Sequence, residues 1–214
     1  MAGPDLSAQP SQVAPHVLLV PGLWSPPMVL GFWSRGLRRQ GFTTAAVAYK
    51  AVRQDLEQNA ALLAAHIAKI PGPVHLVGHS LGGVLIRAYG QRYGWDRVRR
   101  VVMVATPNRG IRSAEWFARF PLGTRLMGRS VAMLRAQPLG PRWVGPELGL
   151  IAGSRGGLPW PGRGVWDGLV AADEVWLDGA PARLVLPVSH AGMLLSSRVV
   201  QAMVAFLQTG RFGS

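Results

Sequence analysis

Residues 74–83 read Val74-His75-Leu76-Val77-Gly78-His79-Ser80-Leu81-Gly82-Gly83. An apolar run ends at Val77, a Gly-x-Ser-x-Gly turn follows, and Val84-Leu85-Ile86-Arg87-Ala88-Tyr89 continues with helical character. Strand, sharp turn and helix, in that order, are the setting of a nucleophile elbow. Such a turn forces its central residue into a strained backbone conformation, and the glycines two before and two after make room for it. Ser80 then stands exposed above a sheet. The helix behind it aims free N–H groups and a positive dipole at the place where negative charge develops.

Val17-Leu18-Leu19-Val20 before Pro21-Gly22 fits a buried parallel strand. Pro27 to Gln40 has a mixed helical pattern that stops at Gly41, and Phe42 to Tyr49 is strand-like. Asp55 to Ile70 carries Leu56, Ala60, Leu63 and Ile67 at helical spacing and stops at Pro71-Gly72. The elbow helix is expected to run to about Tyr93, and Ser197 to Gln208 to form a closing helix. Strands are expected at about 17–20, 42–48, 74–77, 98–105, 148–152 and 182–188. Alternation with helices predicts an α/β fold, a mostly parallel six-stranded sheet covered on both faces. In such sheets the chemistry sits outside the carboxyl ends of the strands. The stretch 109–145 breaks the rhythm: it is arginine-rich and interrupted by Pro121, Pro138 and Pro141. It reads as two short helices, a cap-like insertion, whose Trp116, Phe117, Phe120, Leu122 and Met127 form either core or a hydrophobic lip. The expected organisation is a flexible leader over 1–15 and one domain over 16–210.

The chain of 214 residues has no cysteine, which excludes disulfides, thiolate catalysis and Cys-based zinc sites. No His/Asp/Glu cluster has metal-ligand spacing, and no phosphate loop or dinucleotide fingerprint occurs, so no cofactor and no metal are expected. Neither a signal peptide nor an apolar run of about 18 residues is present, which makes a cytoplasmic location the default. The formal net charge is +13, and only Lys50 and Lys69 among the 23 basic residues are lysines. Ten arginines lie between Arg97 and Arg142, and Glu115 is the only Asp or Glu within that stretch. Such an excess is either a solvated surface or an attraction to anionic partners such as a membrane surface. Nucleic acid is not expected, since no RNA-binding motif or helix-turn-helix pattern accompanies the charge.

A serine hydroxyl needs a base to take its proton and a carboxylate to orient that base. His66 lies inside a helix, His75 in the strand before the elbow, His79 in the elbow facing away, and His16 before the first strand. His190, in the loop after the last strand, is the one placed to reach Ser80. Asp167, Asp173, Glu174 and Asp178 qualify as the acid by chain order. Asp167 is preferred, because it sits in a loop after a strand, whereas the others look like solvated residues around a short helical turn. An oxyanion needs two backbone donors. Leu81, next to the nucleophile, supplies one N–H, and Leu23 in the loop Pro21-Gly22-Leu23-Trp24 the other. Trp24, Trp166 and Met193 are candidates to line a substrate pocket.

With these residues in place, the sequence resembles the α/β-hydrolase superfamily, particularly its small bacterial lipases without a large lid, of the Bacillus lipase A type. Gly78-His79-Ser80-Leu81-Gly82-Gly83 is similar to the nucleophile motif, Asp167-Gly168-Leu169-Val170 to the acid motif, and His190 to Ser197 to the histidine loop and the helix after it. The resemblance implies a serine esterase or lipase without cofactor, acting on a small-molecule or lipid ester, with Ser80, Asp167 and His190 as its triad. Two departures stand out. Pro21-Gly22 replaces the usual His-Gly, and Trp166 replaces an Asn that often precedes the acid. The alternatives are an acyltransferase or thioesterase using the same triad, and a non-catalytic partner-binding protein of the same fold.

Overall fold

The apolar runs pair side by side in one direction. A computed structural model describes residues 14–111, 139–157 and 164–213. Its strands are β1 (His16–Val20), β2 (Thr43–Ala46), β3 (Val74–His79), β4 (Val98–Val104), β5 (Glu147–Gly153) and β6 (Ala182–Leu186). They form one sheet in the order β2-β1-β3-β4-β5-β6, and every neighbouring pair is parallel. A parallel sheet must be covered on both faces, and its strands accordingly read as apolar runs. Leu18, Leu76, Met103 and Leu150 point to one face, where they pack with α2 (Leu56–Ala68) and α3 (Leu81–Tyr93). Leu19, Val77, Val102 and Ile151 point to the other, against α1 (Gly31–Arg38) and α5 (Ser197–Thr209). A one-turn helix, α4 (Ala172–Val175), adds to the first face.

The element boundaries follow local chemistry. Asp55 and Gln58 form a capping box at the start of α2, with Asp55 Oδ1 accepting from the Gln58 N–H at 2.8 Å. Ser196 caps α5, which ends at Gly210 in the left-handed conformation. The edge strand β2 is shorter than its sequence suggests. Val47 still donates to Leu19 O, but the chain then turns through Lys50, whose carbonyl accepts from Arg53 and Gln54. The expected insertion helices, with Trp116, Phe117, Phe120, Leu122 and Met127, and most of the expected leader lie outside the described residues.

The chain leaves β1 to one side for β2 and to the other for β3, so the strand order reverses between β1 and β3. Loops diverge at such a point and open a crevice. The register aligns Val20 with Gly78 and His79 with Val104, which brings the ends of β1, β3 and β4 to one level. Among the described residues, the non-glycine residues with positive φ are Trp24 (55°), Ser80 (51°) and Ala105 (50°), shortly beyond those three strands. Each such conformation costs on the order of 1–3 kcal/mol and persists where the surrounding structure enforces it.

Arg87, on α3, is buried with no carboxylate partner among the described residues. It donates to Asn108 O at 2.8 Å, to Leu139 O at 2.7 Å and to Gly140 O. Burial pushes its guanidinium down to about 10, so it stays charged at neutral pH. It thereby ties the loop after β4, at Asn108, to the segment at Leu139 and Gly140. Arg87→Met strands these carbonyls in a dry site and is expected to destabilise the protein by roughly 3 kcal/mol. The urea midpoint checks this, and Arg87→Lys, with fewer donors, should fall between the two.

His75 and His79 are both buried in β3. Burial, with Arg100 and Arg99 adding to it, pushes His75 down to about 4, while burial followed by the nearby His190 pushes His79 down to about 3. Unfolded histidine titrates near 6.5, so below that pH the unfolded chain binds protons that the folded chain does not. The stability these groups contribute is present above about pH 6.5 and is lost as pH falls toward their folded values, by about 1.4 kcal/mol per pH unit for each histidine. Chemical denaturation between pH 7 and 4.5 should show this slope, and His75→Leu should lower it by one proton.

Candidate active site

The elbow is built by close approach. A Cβ on Gly82 would lie 2.2 Å from Val20 O, so only glycine lets α3 start this close to β1. Ser80 is held at φ 51° and ψ −123° between strand and helix, with its N–H on Val104 O at 2.9 Å. Gly22 performs the matching task from the β1 loop. A side chain there would meet Ser80 Cβ at 3.2 Å and His79 Nδ1 at 3.1 Å, so the bare backbone of the Pro21-Gly22 turn lies against the serine. Among the described residues, the N–H groups of Leu23 and Leu81 find no acceptor within the fold.

Asp167 and His190 meet beyond the ends of β5 and β6. Asp167 Oδ2 lies 2.8 Å from His190 Nδ1, and the His190 N–H donates to Asp167 O at 2.8 Å. The other carboxylate oxygen accepts the N–H groups of Leu169 (2.9 Å) and Val170 (2.8 Å). Both oxygens of this buried carboxylate are thus assigned, and the imidazole is held with Nδ1 facing the acid. The ring of His190 stands 4.9 Å, centroid to centroid, from that of His79, the residue before the serine. No hydrogen bond joins Ser80 Oγ to His190 among the described contacts. Catalytic hydrogen bonds are often long or misaligned before substrate binds.

Two further residues tie down the loop that carries His190. His79 Nε2 is 3.3 Å from His190 O, and the neutral ring this burial enforces donates there. Trp33, fully buried on α1, donates its indole N–H to Met193 O at 2.9 Å. Sequence reading missed both roles. His79 shows as an elbow histidine, but nothing marks its partner as a carbonyl 111 positions away. Trp33 gives no signal beyond its place on an apolar helix face.

The remaining candidates separate. Trp24 is 62% exposed and lines an open cleft beside Gly22. Trp166 lies over Gly156, where a Cβ would meet the indole at 2.4 Å. Met193, expected at the pocket, is instead fully buried in the core between the sheet and α5, its methyl against Gly153. Glu174 also differs from expectation. It is buried rather than solvated, because its carboxylate accepts the Ala171 N–H at 2.8 Å. Asp173 and Asp178 are exposed, and Asp178 pairs with Arg109 at 2.6 Å. The described arginines of the basic stretch are partly structural: Arg97 caps Ile70 O and Gly72 O, while Arg100 pairs with Glu147 and reaches Leu207 O. Among the described residues, no group of three or more His, Cys, Asp or Glu is placed to hold a metal ion, and no helix is long and apolar enough to cross a membrane.

The sequence profile of the alpha/beta hydrolase family matches residues 17–209. The chain belongs to this family. The six-stranded parallel sheet and its helices are the family's architecture. A search of curated proteins finds no significant match. Among solved structures, the chain is similar to the lipase BlEst2 of Bacillus licheniformis in its mature form, with a TM-score of 0.74 at 17% identity, covering 96% of each chain. It is similar to the carboxylesterase CesB of Bacillus subtilis, with a TM-score of 0.59 at 16% identity over 92% of this chain and 85% of that one. It is also similar to a bromoperoxidase of Bacillus anthracis, with a TM-score of 0.63 at 12% identity over 92% of both. At these identities the likeness is one of fold. The family's structural neighbours include lipases and esterases, and the chemistry of this member rests on its own residues.

Proposed function

We propose that this hydrolase cleaves carboxylic esters through an acyl-enzyme on Ser80. The observation that carries the reading is the Asp167–His190 pair, joined at 2.8 Å and seated beside the strained elbow. Ser80 attacks the ester carbonyl and passes its proton to His190 Nε2. Asp167 keeps Nδ1 protonated and stabilises the imidazolium. The oxyanion is received by the N–H groups of Leu23 and Leu81, each worth roughly a hundredfold or more in rate. His190 returns the proton to the departing alcohol, and water then cleaves the acyl-enzyme by the same route.

The departure at Pro21 is compatible with this scheme. The donor is the backbone of Leu23, and Gly22 still gives the loop its close approach to the serine. Rapid mixing with excess p-nitrophenyl butyrate tests the reading. The expected trace is hydrolysis with p-nitrophenol released first as a burst of up to one equivalent. Failure to release p-nitrophenol above the buffer rate would sink it. Transfer of the acyl group to an added alcohol or thiol is the second outcome of the same intermediate, and product analysis with graded acceptor separates it from hydrolysis.

A further inference from the structure

The loop after β1 and the loop after β2 face each other across an open cleft of about 390 Å³ at the carboxyl edge of the sheet. Gly22, Trp24 and Pro26 lie on one side, and Tyr49, Lys50 and Arg53 on the other. The cleft starts beside the nucleophile, since Gly22 both lines it and lies against Ser80. Its two sides are tied at the base, where the Tyr49 hydroxyl donates to Pro21 O at 2.8 Å.

The cationic side is built rather than loose. The Lys50 N–H donates to Asn59 Oδ1 at 3.1 Å, and the buried Asn59 amide donates to Gln54 O and Asp55 O. Lys50 O accepts the N–H groups of Arg53 (3.1 Å) and Gln54 (2.9 Å). Helix α2 therefore holds the turn that carries both cations. Among the described residues neither Lys50 nor Arg53 forms an ion pair. The nearest carboxylate in the chain, Asp55, is engaged in capping α2. Two cations on one preorganised turn, facing an aromatic side chain, suit an anion with several oxygens, because a guanidinium binds such groups in a fork and an ammonium adds a point charge.

We propose that this cleft is the subsite for an anionic group, carboxylate or phosphate, carried by the ester, with Lys50 and Arg53 as its counter-charges. The proposal rests on the reading of Ser80 as nucleophile. It makes the preferred substrate an ester with a charged end, and Lys50 and Arg53 the residues that set this specificity.

Two matched pairs of esters test it. Mono-p-nitrophenyl glutarate against its methyl ester places the charge on the acyl side. Butyryl glycerophosphate against monobutyrin places it on the alcohol side, as in a phospholipid. At least one charged ester should exceed its neutral partner in kcat/KM by roughly tenfold, as two partly solvated cations can supply. That ratio should fall toward one in the Lys50→Met/Arg53→Met double variant and in high salt. Lys69→Met, which removes an exposed charge at the far end of α2, should leave the ratio intact. No preference in either pair, or a preference that survives the double substitution, would overturn the proposal. Calorimetric titration of glycerophosphate and of monomethyl glutarate into the Ser80→Ala protein gives an independent readout. Binding of either anion that is lost on adding the two Met substitutions supports the cleft, and absence of binding by both overturns it. If no ester is turned over at all, the Ser80 reading fails, and this titration still decides the cleft.

Discussion

Ser80→Ala is expected to lower kcat for p-nitrophenyl butyrate by roughly 10⁴- to 10⁶-fold, the range in which loss of a nucleophile leaves only binding and the oxyanion donors. The folded protein should persist. Ser80 Oγ makes no hydrogen bond among the described contacts, and alanine keeps the Cβ that lies against Gly22. The strain at φ 51° belongs to the backbone, held by the Ser80 N–H on Val104 O, and does not require the hydroxyl. Equal urea midpoints with collapsed turnover would separate a chemical role from a structural one. A variant retaining a tenth of the wild-type rate would remove Ser80 from the chemistry.

Asp167→Asn carries the second large effect, and its direction follows from the hydrogen bonds. Oδ1 accepts two backbone N–H groups, from Leu169 and Val170, so the amide oxygen must take that place. The amide NH2 then occupies the place of Oδ2 and faces His190 Nδ1, 2.8 Å away in the wild type. A donor facing Nδ1 forces the ring proton onto Nε2, which can no longer accept from a serine. The expected loss is about 10⁴-fold in kcat, with KM changed far less. A loss confined to KM, or one smaller than tenfold, would contradict the role assigned to Asp167.

The fold was legible because its signals are local and repeated. Val17–Val20 and Val101–Val104 are continuous apolar runs, and Val74–Val77 is broken only by His75, as strands buried on both faces read. Pro71-Gly72 and Gly210 stop helices by backbone chemistry alone. The elbow was legible for a similar reason: Gly78 and Gly82 stand where no side chain fits. Chain order admitted four acids and a loop position after a strand favoured Asp167, and the structure places it in contact with His190.

What escaped sequence reading depends on distant partners. Trp33 and Met193 are separated by 160 positions, and only the tertiary fold turns one into a donor to the other's carbonyl. Met193 follows the histidine loop closely enough to suggest a pocket, yet the 3-10 turn at Gly192–Leu195 rotates it into the core. Glu174 looked solvated because a carboxylate usually is, and one backbone N–H at Ala171 provides for its burial. Lys50 and Arg53 read as two more charges in a basic chain until the β2 loop sets them across from Gly22.

Covalent labelling reads out the nucleophile itself. A fluorophosphonate reacts only with a serine whose hydroxyl is activated and whose oxyanion site is in place. The expected result is a single adduct, one per chain, on the peptide containing Ser80, lost in Ser80→Ala and strongly reduced in His190→Ala. An adduct on another serine, or none on the folded protein, would contradict it.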